Sequence, residues 1–133
     1  MESIIEHYGL NETNMKIHVI SGIGDIKNIS TDSINKHCLF FPDSGFHPNE
    51  HINLALIYKD YVQNFPSLPE LVIYTYSPYL IEALSRLVPE DKIEFLFSNG
   101  SELIKENALS LIFESLAEPF DYFRKLDIES IKE

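Results

Sequence analysis

The stretch Leu71-Val72-Ile73-Tyr74-Thr75-Tyr76-Ser77-Pro78 decides the fold class. A short run of β-branched and aromatic side chains with no polar alternation reads as a strand buried on both faces. Ser77 then offers a hydroxyl cap, and Pro78 takes the first helical position, where a missing N–H costs nothing. Leu80, Ile81, Leu84, Leu87 and Val88 follow at three- and four-residue steps, the spacing of one helical face. The unit is strand, turn, helix. As the most apolar run, Leu71–Tyr76 is expected at the centre of a sheet.

Working outward, the same alternation recurs. Ile17, Val19 and Ile20 precede Ser21-Gly22-Ile23-Gly24, and Cys38-Leu39-Phe40-Phe41 precedes Pro42-Asp43-Ser44-Gly45. Ile93 to Phe97 precedes Ser98-Asn99-Gly100. Between strands, Leu54, Ile57, Tyr58, Tyr61, Val62 and Phe65 fall on one helical face, and His47-Pro48 offers a start. A last helix is expected from Asn107, with Leu109, Ile112, Phe113 and Leu116 on one face. Pro119 should end or kink it, because proline removes a helical hydrogen bond and crowds the preceding turn. A stripe of Ile4, Ile5, Tyr8 and Leu10 suggests a turn or two of helix before the first strand. Strands alternating with helices predict an α/β domain, a small mostly parallel sheet with flanking helices.

The 133 residues suit one domain, and 44% apolar residues with nine Phe and seven Tyr supply a core. A net charge of −11, spread along the chain rather than gathered in a tail, argues against a nucleic-acid backbone as direct partner. The single cysteine, Cys38, excludes an internal disulfide framework, and as part of an apolar run it reads as a small buried residue. No apolar run reaches membrane-spanning length, and the opening MESIIEHYGLNE is acidic rather than signal-like, so a cytoplasmic, membrane-free protein is expected.

Three loops should leave the C-terminal ends of the first three strands, where open α/β sheets bind ligands. Gly22-Ile23-Gly24-Asp25-Ile26-Lys27-Asn28 looks like a shortened phosphate loop. Phe40-Phe41-Pro42-Asp43-Ser44-Gly45-Phe46-His47-Pro48 matches the frame of D-E-P-E-x-x-L-H-P. Tyr74-Thr75-Tyr76-Ser77-Pro78-Tyr79-Leu80 matches T-T-H-S-P-Y-L. In this order, over roughly residues 15–100, the three resemble the motifs of ABC-class P-loop ATPases, AAA family ATPases related to the OLD nucleases and the SMC proteins. The resemblance implies a minimal P-loop NTPase-like fold, with nucleotide-binding positions at Gly22, Gly24, Lys27 and Asn28.

The departures fall on the reactive positions. Ile26 stands where the glycine before Lys27 belongs, and a β-branched residue resists the backbone that lets successive N–H groups converge on phosphate. Asn28 replaces the hydroxyl residue that ligates magnesium. Phe40 and Phe41 replace the magnesium-binding Asp and the catalytic Glu of Walker B, and phenyl rings neither ligate a hard cation nor polarise water. Asp43 keeps the motif's frame, and Tyr76 replaces the γ-phosphate-sensing histidine. The interval between Lys27 and Asp43 leaves no room for the family's signature helix and glutamine loop. Loss of a general base alone costs about 10²–10⁴ in rate. The resemblance therefore implies a non-catalytic, pseudo-enzyme module without cofactor, acting through a protein partner: an ATPase-family or nuclease subunit, or a second copy of itself. The alternative is weak ATP/Mg binding or hydrolysis through Lys27 and a remodelled loop.

His47-Pro48-Asn49-Glu50-His51 also spells H-x-x-E-H, which on one continuous helical face would give zinc two imidazoles and a glutamate base. Pro48 puts His47 at or before the helix start, which weighs against that reading. Asp43, Ser44 and His47 form a nominal hydrolytic trio, but residues of one loop seldom reach triad geometry. His18 alternates with Ile17 and Val19, which places it on the less buried face. Tyr74, Tyr76 and Tyr79 suit core or interface packing.

Overall fold

A computed structural model of the chain describes residues 16–28, 36–64 and 70–132. The described elements are β1 (Ile17–Gly22), β2 (Lys36–Phe40), α1 (Pro48–Asn64), β3 (Glu70–Tyr74), α2 (Pro78–Leu87), β4 (Ile93–Ser98), β5 (Leu103–Ile104) and α3 (Ala108–Lys132). They form an α/β fold with a five-stranded sheet in the order β2-β3-β1-β4-β5. The first four strands are parallel, and β5 returns antiparallel against β4. The central strand is therefore β1, not the Leu71–Tyr76 run; β3 is interior, between β1 and β2. Hydrophobicity alone cannot separate two neighbouring strands that are both covered on two faces.

The period of two sorts the side chains. Ile17, Val19, Leu71 and Ile73 join the larger core cluster, with Ala55 and Val62 of α1, Leu80 and Leu84 of α2, and Ile112 of α3. Burying each large aliphatic side chain contributes about 1.5–3 kcal/mol. The crossovers through α1 and α2 both move from the β2 side toward β4, and right-handed connections then put both helices on the same face. They pack against each other there. On the opposite face Ile20, Val72 and Tyr74 form a smaller cluster with Ile26.

Helix starts follow their signals. Ser77 caps α2 by accepting from the Leu80 amide at 3.1 Å, with Pro78 in the first turn, and α1 begins at Pro48. Pro119 does not end α3, which runs through it to Lys132. The carbonyl that proline strips of its partner, that of Ser115, lies where the helix emerges into solvent, and water can replace the lost amide. The two-residue strand β5 carries too short a pattern to be read from sequence. The Ile4, Ile5, Tyr8, Leu10 stripe and Phe65 lie outside the described residues. No described helix is long and apolar enough to cross a membrane.

Candidate functional site

Every buried polar residue among those described belongs to one end of the molecule. Ser21, Thr75, Ser77 and Ser98 are at or just beyond the C-terminal ends of β1, β3 and β4, and His51 reaches the same edge from α1. Burying polar groups is costly without hydrogen bonds, so such a gathering marks a built site rather than a filler of core. The Ser21 hydroxyl is buried with no hydrogen-bond partner among the described residues.

After β1 the chain heads for β2, and after β3 it heads the opposite way, across β1, to β4. Neighbouring strands whose continuations diverge open a crevice between their loops, the usual ligand position in an open α/β sheet. Here Tyr76 fills it. Its hydroxyl donates to the Gly24 carbonyl and lies 3.4 Å from the Ile26 amide, which points at it as a donor. The Phe41 ring stacks on Tyr76 with centroids 5.4 Å apart.

The first loop is held from below as well. Ile26 has no exposed surface and joins Ile20, Val72 and Tyr74 in the smaller cluster. It turns through a short 3₁₀ segment, Ile26–Asn28, while Lys27 stays exposed and Asn28 bonds back to Asp25 at 2.7 Å. Gly22 serves the sheet: with φ 137° it approaches β4 so closely that a Cβ would lie 2.3 Å from the Ser98 carbonyl oxygen. Gly24 has φ 83°, a left-handed turn that suits glycine. Ser98 then fastens the loop, its hydroxyl donating to the Ile23 carbonyl at 3.0 Å.

The second and third loops are joined by two hydrogen-bonded pairs. The Thr75 hydroxyl donates to Asp43 at 2.5 Å and accepts from the Ser77 amide at 3.0 Å. His51 Nε2 faces the Phe46 carbonyl at 3.1 Å, and Nδ1 faces the Ser77 hydroxyl at 2.7 Å. A carbonyl only accepts, so Nε2 is the donor of the neutral ring and Nδ1 accepts the Ser77 hydroxyl proton. Tyr58 has its phenol pushed above its usual value by burial, with the Asp43 charge adding to it.

Phe40 and Phe41 do not alternate. Phe40 ends β2 opposite Tyr74 and stacks on it at 4.6 Å, 53% exposed. Phe41 has φ 51°, a left-handed backbone that is uncommon for a bulky residue. That turn swings its ring to Tyr76 and the smaller cluster instead of the helical face. Continued strand geometry would alternate the two rings across the sheet, but the strand stops at Phe40.

The H-x-x-E-H residues are not drawn together. His47 is exposed and accepts from the Asn49 amide, and Glu50 accepts from the Asn53 side chain. His51 is buried, with both ring nitrogens engaged. Among the described residues no three of His, Cys, Asp and Glu are grouped to hold a metal. Of the nominal trio, Asp43 and Ser44 line one cleft, and the histidine beside them is His51 rather than His47. The tyrosines separate too: Tyr74 is buried against Phe40, Tyr76 closes the first loop, and Tyr79 meets His51 edge-on.

What is left open is a cleft of about 400 Å³ between Phe41, Asp43 and Ser44 on one side and Tyr76, Ser77 and Tyr79 on the other. A broader apolar groove of about 620 Å³ adjoins it, sharing Pro78 and Tyr79 and running between α1 and α2 to Phe113. Sequence reasoning missed His51 as the partner of Ser77. Its signal was position: four residues into a helix after Pro48, aligned with Ala55, Tyr58 and Val62 on the buried face. No family model matches the chain, and neither a curated protein nor a solved structure matches it.

Proposed function

We propose that this domain is a degenerate relative of the ABC-class P-loop ATPases that works as a non-catalytic interaction or regulatory module. The observation that carries the reading is the Tyr76 hydroxyl between the Gly24 carbonyl and the Ile26 amide. A phosphate loop needs its amides free and converging. In this chain one is turned to a tyrosine, and Ile26 is anchored in the core. The three loops of the resemblance leave adjacent parallel strands, in the order β2-β3-β1, which supports reading them as one former site. Phe40 and Phe41 leave the carboxylate positions with neither a metal ligand nor a base. The Asp43–Thr75 and His51–Ser77 pairs preserve the scaffold linking the second and third loops. The partner would be a protein, either an active ATPase-family or nuclease subunit or another copy of this chain.

A second reading, a residual nucleotide binder, draws on Lys27, exposed at the first loop without an ion pair among the described residues. Thermal melting with ATP and magnesium, alongside a phosphate-release assay, separates the two. Ligand at a hundred times its Kd would stabilise the fold by about 2.7 kcal/mol. The module reading expects no shift and no phosphate above a blank. A clear shift abolished by Lys27→Ala would replace it with the nucleotide binder.

A further inference from the structure

His51 projects from the first turn of α1, and Ser77 sits on the turn from β3 into α2, 26 positions further along the chain. The Ser77 hydroxyl donates to His51 Nδ1 at 2.7 Å, and His51 Nε2 donates to the Phe46 carbonyl at 3.1 Å. A serine whose proton already points at a fixed imidazole is an activated nucleophile, recognised by geometry rather than by sequence order. It is a different set from Asp43, Ser44 and His47, whose three members share one loop. A turn from strand to helix is the usual mounting for such a serine.

Two further observations separate this pair from a purely structural contact. Both residues line the cleft of about 400 Å³, and each keeps 7% of its surface exposed, which gives a small ligand access to them. The start of α2 also favours negative charge on the serine oxygen. The Leu80 amide donates to that oxygen at 3.1 Å, and the helix dipole adds to the effect. The Ile81 amide is held by the Ser77 carbonyl at 3.1 Å, and Pro78 has no N–H. Among the first four positions of α2, that leaves the Tyr79 amide for a developing oxyanion.

We propose that Ser77 and His51 form a serine–histidine dyad that hydrolyses small uncharged esters. Ser77 Oγ attacks the ester carbonyl carbon while its proton passes to His51 Nδ1. The imidazolium keeps its Nε2–H on the Phe46 carbonyl. The bond from the carbonyl carbon to the alkoxy oxygen then breaks, and the alcohol leaves with the proton from Nδ1. Water attacks the acyl group on Ser77, again giving a proton to Nδ1, and the acid departs as Nδ1 returns that proton to Ser77. Ester and water become acid and alcohol. The cleft sets the class of substrate. Phe41, Tyr76 and Tyr79 supply aromatic walls and Asp43 a carboxylate beside them, and with a chain charge of −11 this disfavours an anionic substrate. The module reading concerns nucleotide chemistry at the first loop. This dyad belongs to the second and third loops and α1, and it stands without that reading.

Covalent labelling of the full chain tests it. A fluorophosphonate should lose fluoride to Ser77 and add a single phosphonyl group to the chain, and peptide mass spectrometry should place that group on Ser77. The same labelling should abolish hydrolysis of p-nitrophenyl butyrate. His51→Gln should slow both reactions by about 10²–10⁴, the usual loss of a general base, with urea melting to show that the variant is folded. Mapping the label on the wild-type chain requires no variant, so the proposal stays open to refutation if His51→Gln does not fold. Three results overturn it: a wild-type chain that takes no label; a label on another residue, such as Ser44 or Tyr79; or a folded His51→Gln chain that labels at the wild-type rate. None of them bears on the ATP and magnesium test of the module reading.

Discussion

The imidazole of His51 lies 2.7 Å from the hydroxyl of Ser77, which joins the first turn of α1 to the cap of α2 in one buried unit. Ser77 is shared, because its oxygen also accepts the Leu80 amide at 3.1 Å.

Ser77→Ala removes a helix cap and leaves Nδ1 of a buried histidine without a partner. A lost cap costs about 0.5–2 kcal/mol, and an unsatisfied buried polar group about 1–3 kcal/mol. The expected loss in urea melting is about 2–4 kcal/mol. Ser77→Thr keeps the hydroxyl and should recover most of it. A loss below about 0.5 kcal/mol for the alanine variant would mean that the pair is not formed in solution.

Two glycines with left-handed backbones should respond very differently to alanine. At Gly22 a Cβ would meet the Ser98 backbone at 2.3 and 2.7 Å, whereas at Gly45 it would meet nothing within 4 Å. Gly45→Ala carries only the conformational penalty, about 1 kcal/mol. Gly22→Ala must also push β4 off β1 at the centre of the sheet, and a loss above about 3 kcal/mol or failure to fold is expected. Equal, small losses at the two sites, read by urea melting, would contradict the β1–β4 approach.

The strands and helices were legible because their signals are local: apolar runs of strand length, helical spacing, and serine-proline and proline starts. The exchange of β1 for β3 at the sheet centre was not, since neighbour order depends on crossovers that hydrophobicity does not encode. At the site, the loops at the strand ends could be read from sequence, but not what their side chains do. That Ile26 joins Val72 and Tyr74 in the core, and that Tyr76 occupies its amide, are relationships across about 46–50 residues. The place of the Phe41 ring was not legible, because a single residue with φ 51° ends the strand's alternation, and nothing about phenylalanine advertises a left-handed backbone.

Glu94 gives the fold an acid-sensitive element. Burial pushes its carboxyl up, but hydrogen bonds and charges from Lys105 and His18 outweigh that and hold it below its ordinary value. Lys105 is 2.8 Å away and His18 is 3.0 Å away, with Glu70 on the other ring nitrogen of His18 at 2.9 Å. A carboxylate with a depressed folded-state pKa contributes stability that is present above the unfolded value of about 4.5 and disappears as pH falls through the folded value. Stability measured from about pH 6 down to 3 should therefore fall less steeply in Glu94→Gln than in the wild type. Parallel acid limbs in the two proteins would show that Glu94 is not held down.

On the proposed reading, placing carboxylates at positions 40 and 41 should not create an ATPase. Phe40→Asp removes a ring that is 53% exposed but stacked on Tyr74 at 4.6 Å, a contact worth about 0.5–1.5 kcal/mol. Phe41→Glu does more. It strips Tyr76 of its stacked neighbour and sets a charge beside the Ile20, Val72 and Tyr74 cluster, at a backbone φ of 51° that glutamate tolerates no better than phenylalanine. The double variant should lose about 2–4 kcal/mol in urea melting, with Phe41 the larger share. Phosphate release should stay at the blank, because a base and a metal ligand are useless while Tyr76 holds the Ile26 amide and Ile26 remains in the core. Adding Tyr76→His should change the loop's hydrogen bonding and still give no hydrolysis, since Asn28 supplies no hydroxyl for magnesium and Ile26 cannot turn as glycine does. ATP turnover in either variant would show that only the carboxylates were missing, and the interaction-module reading would fail with it.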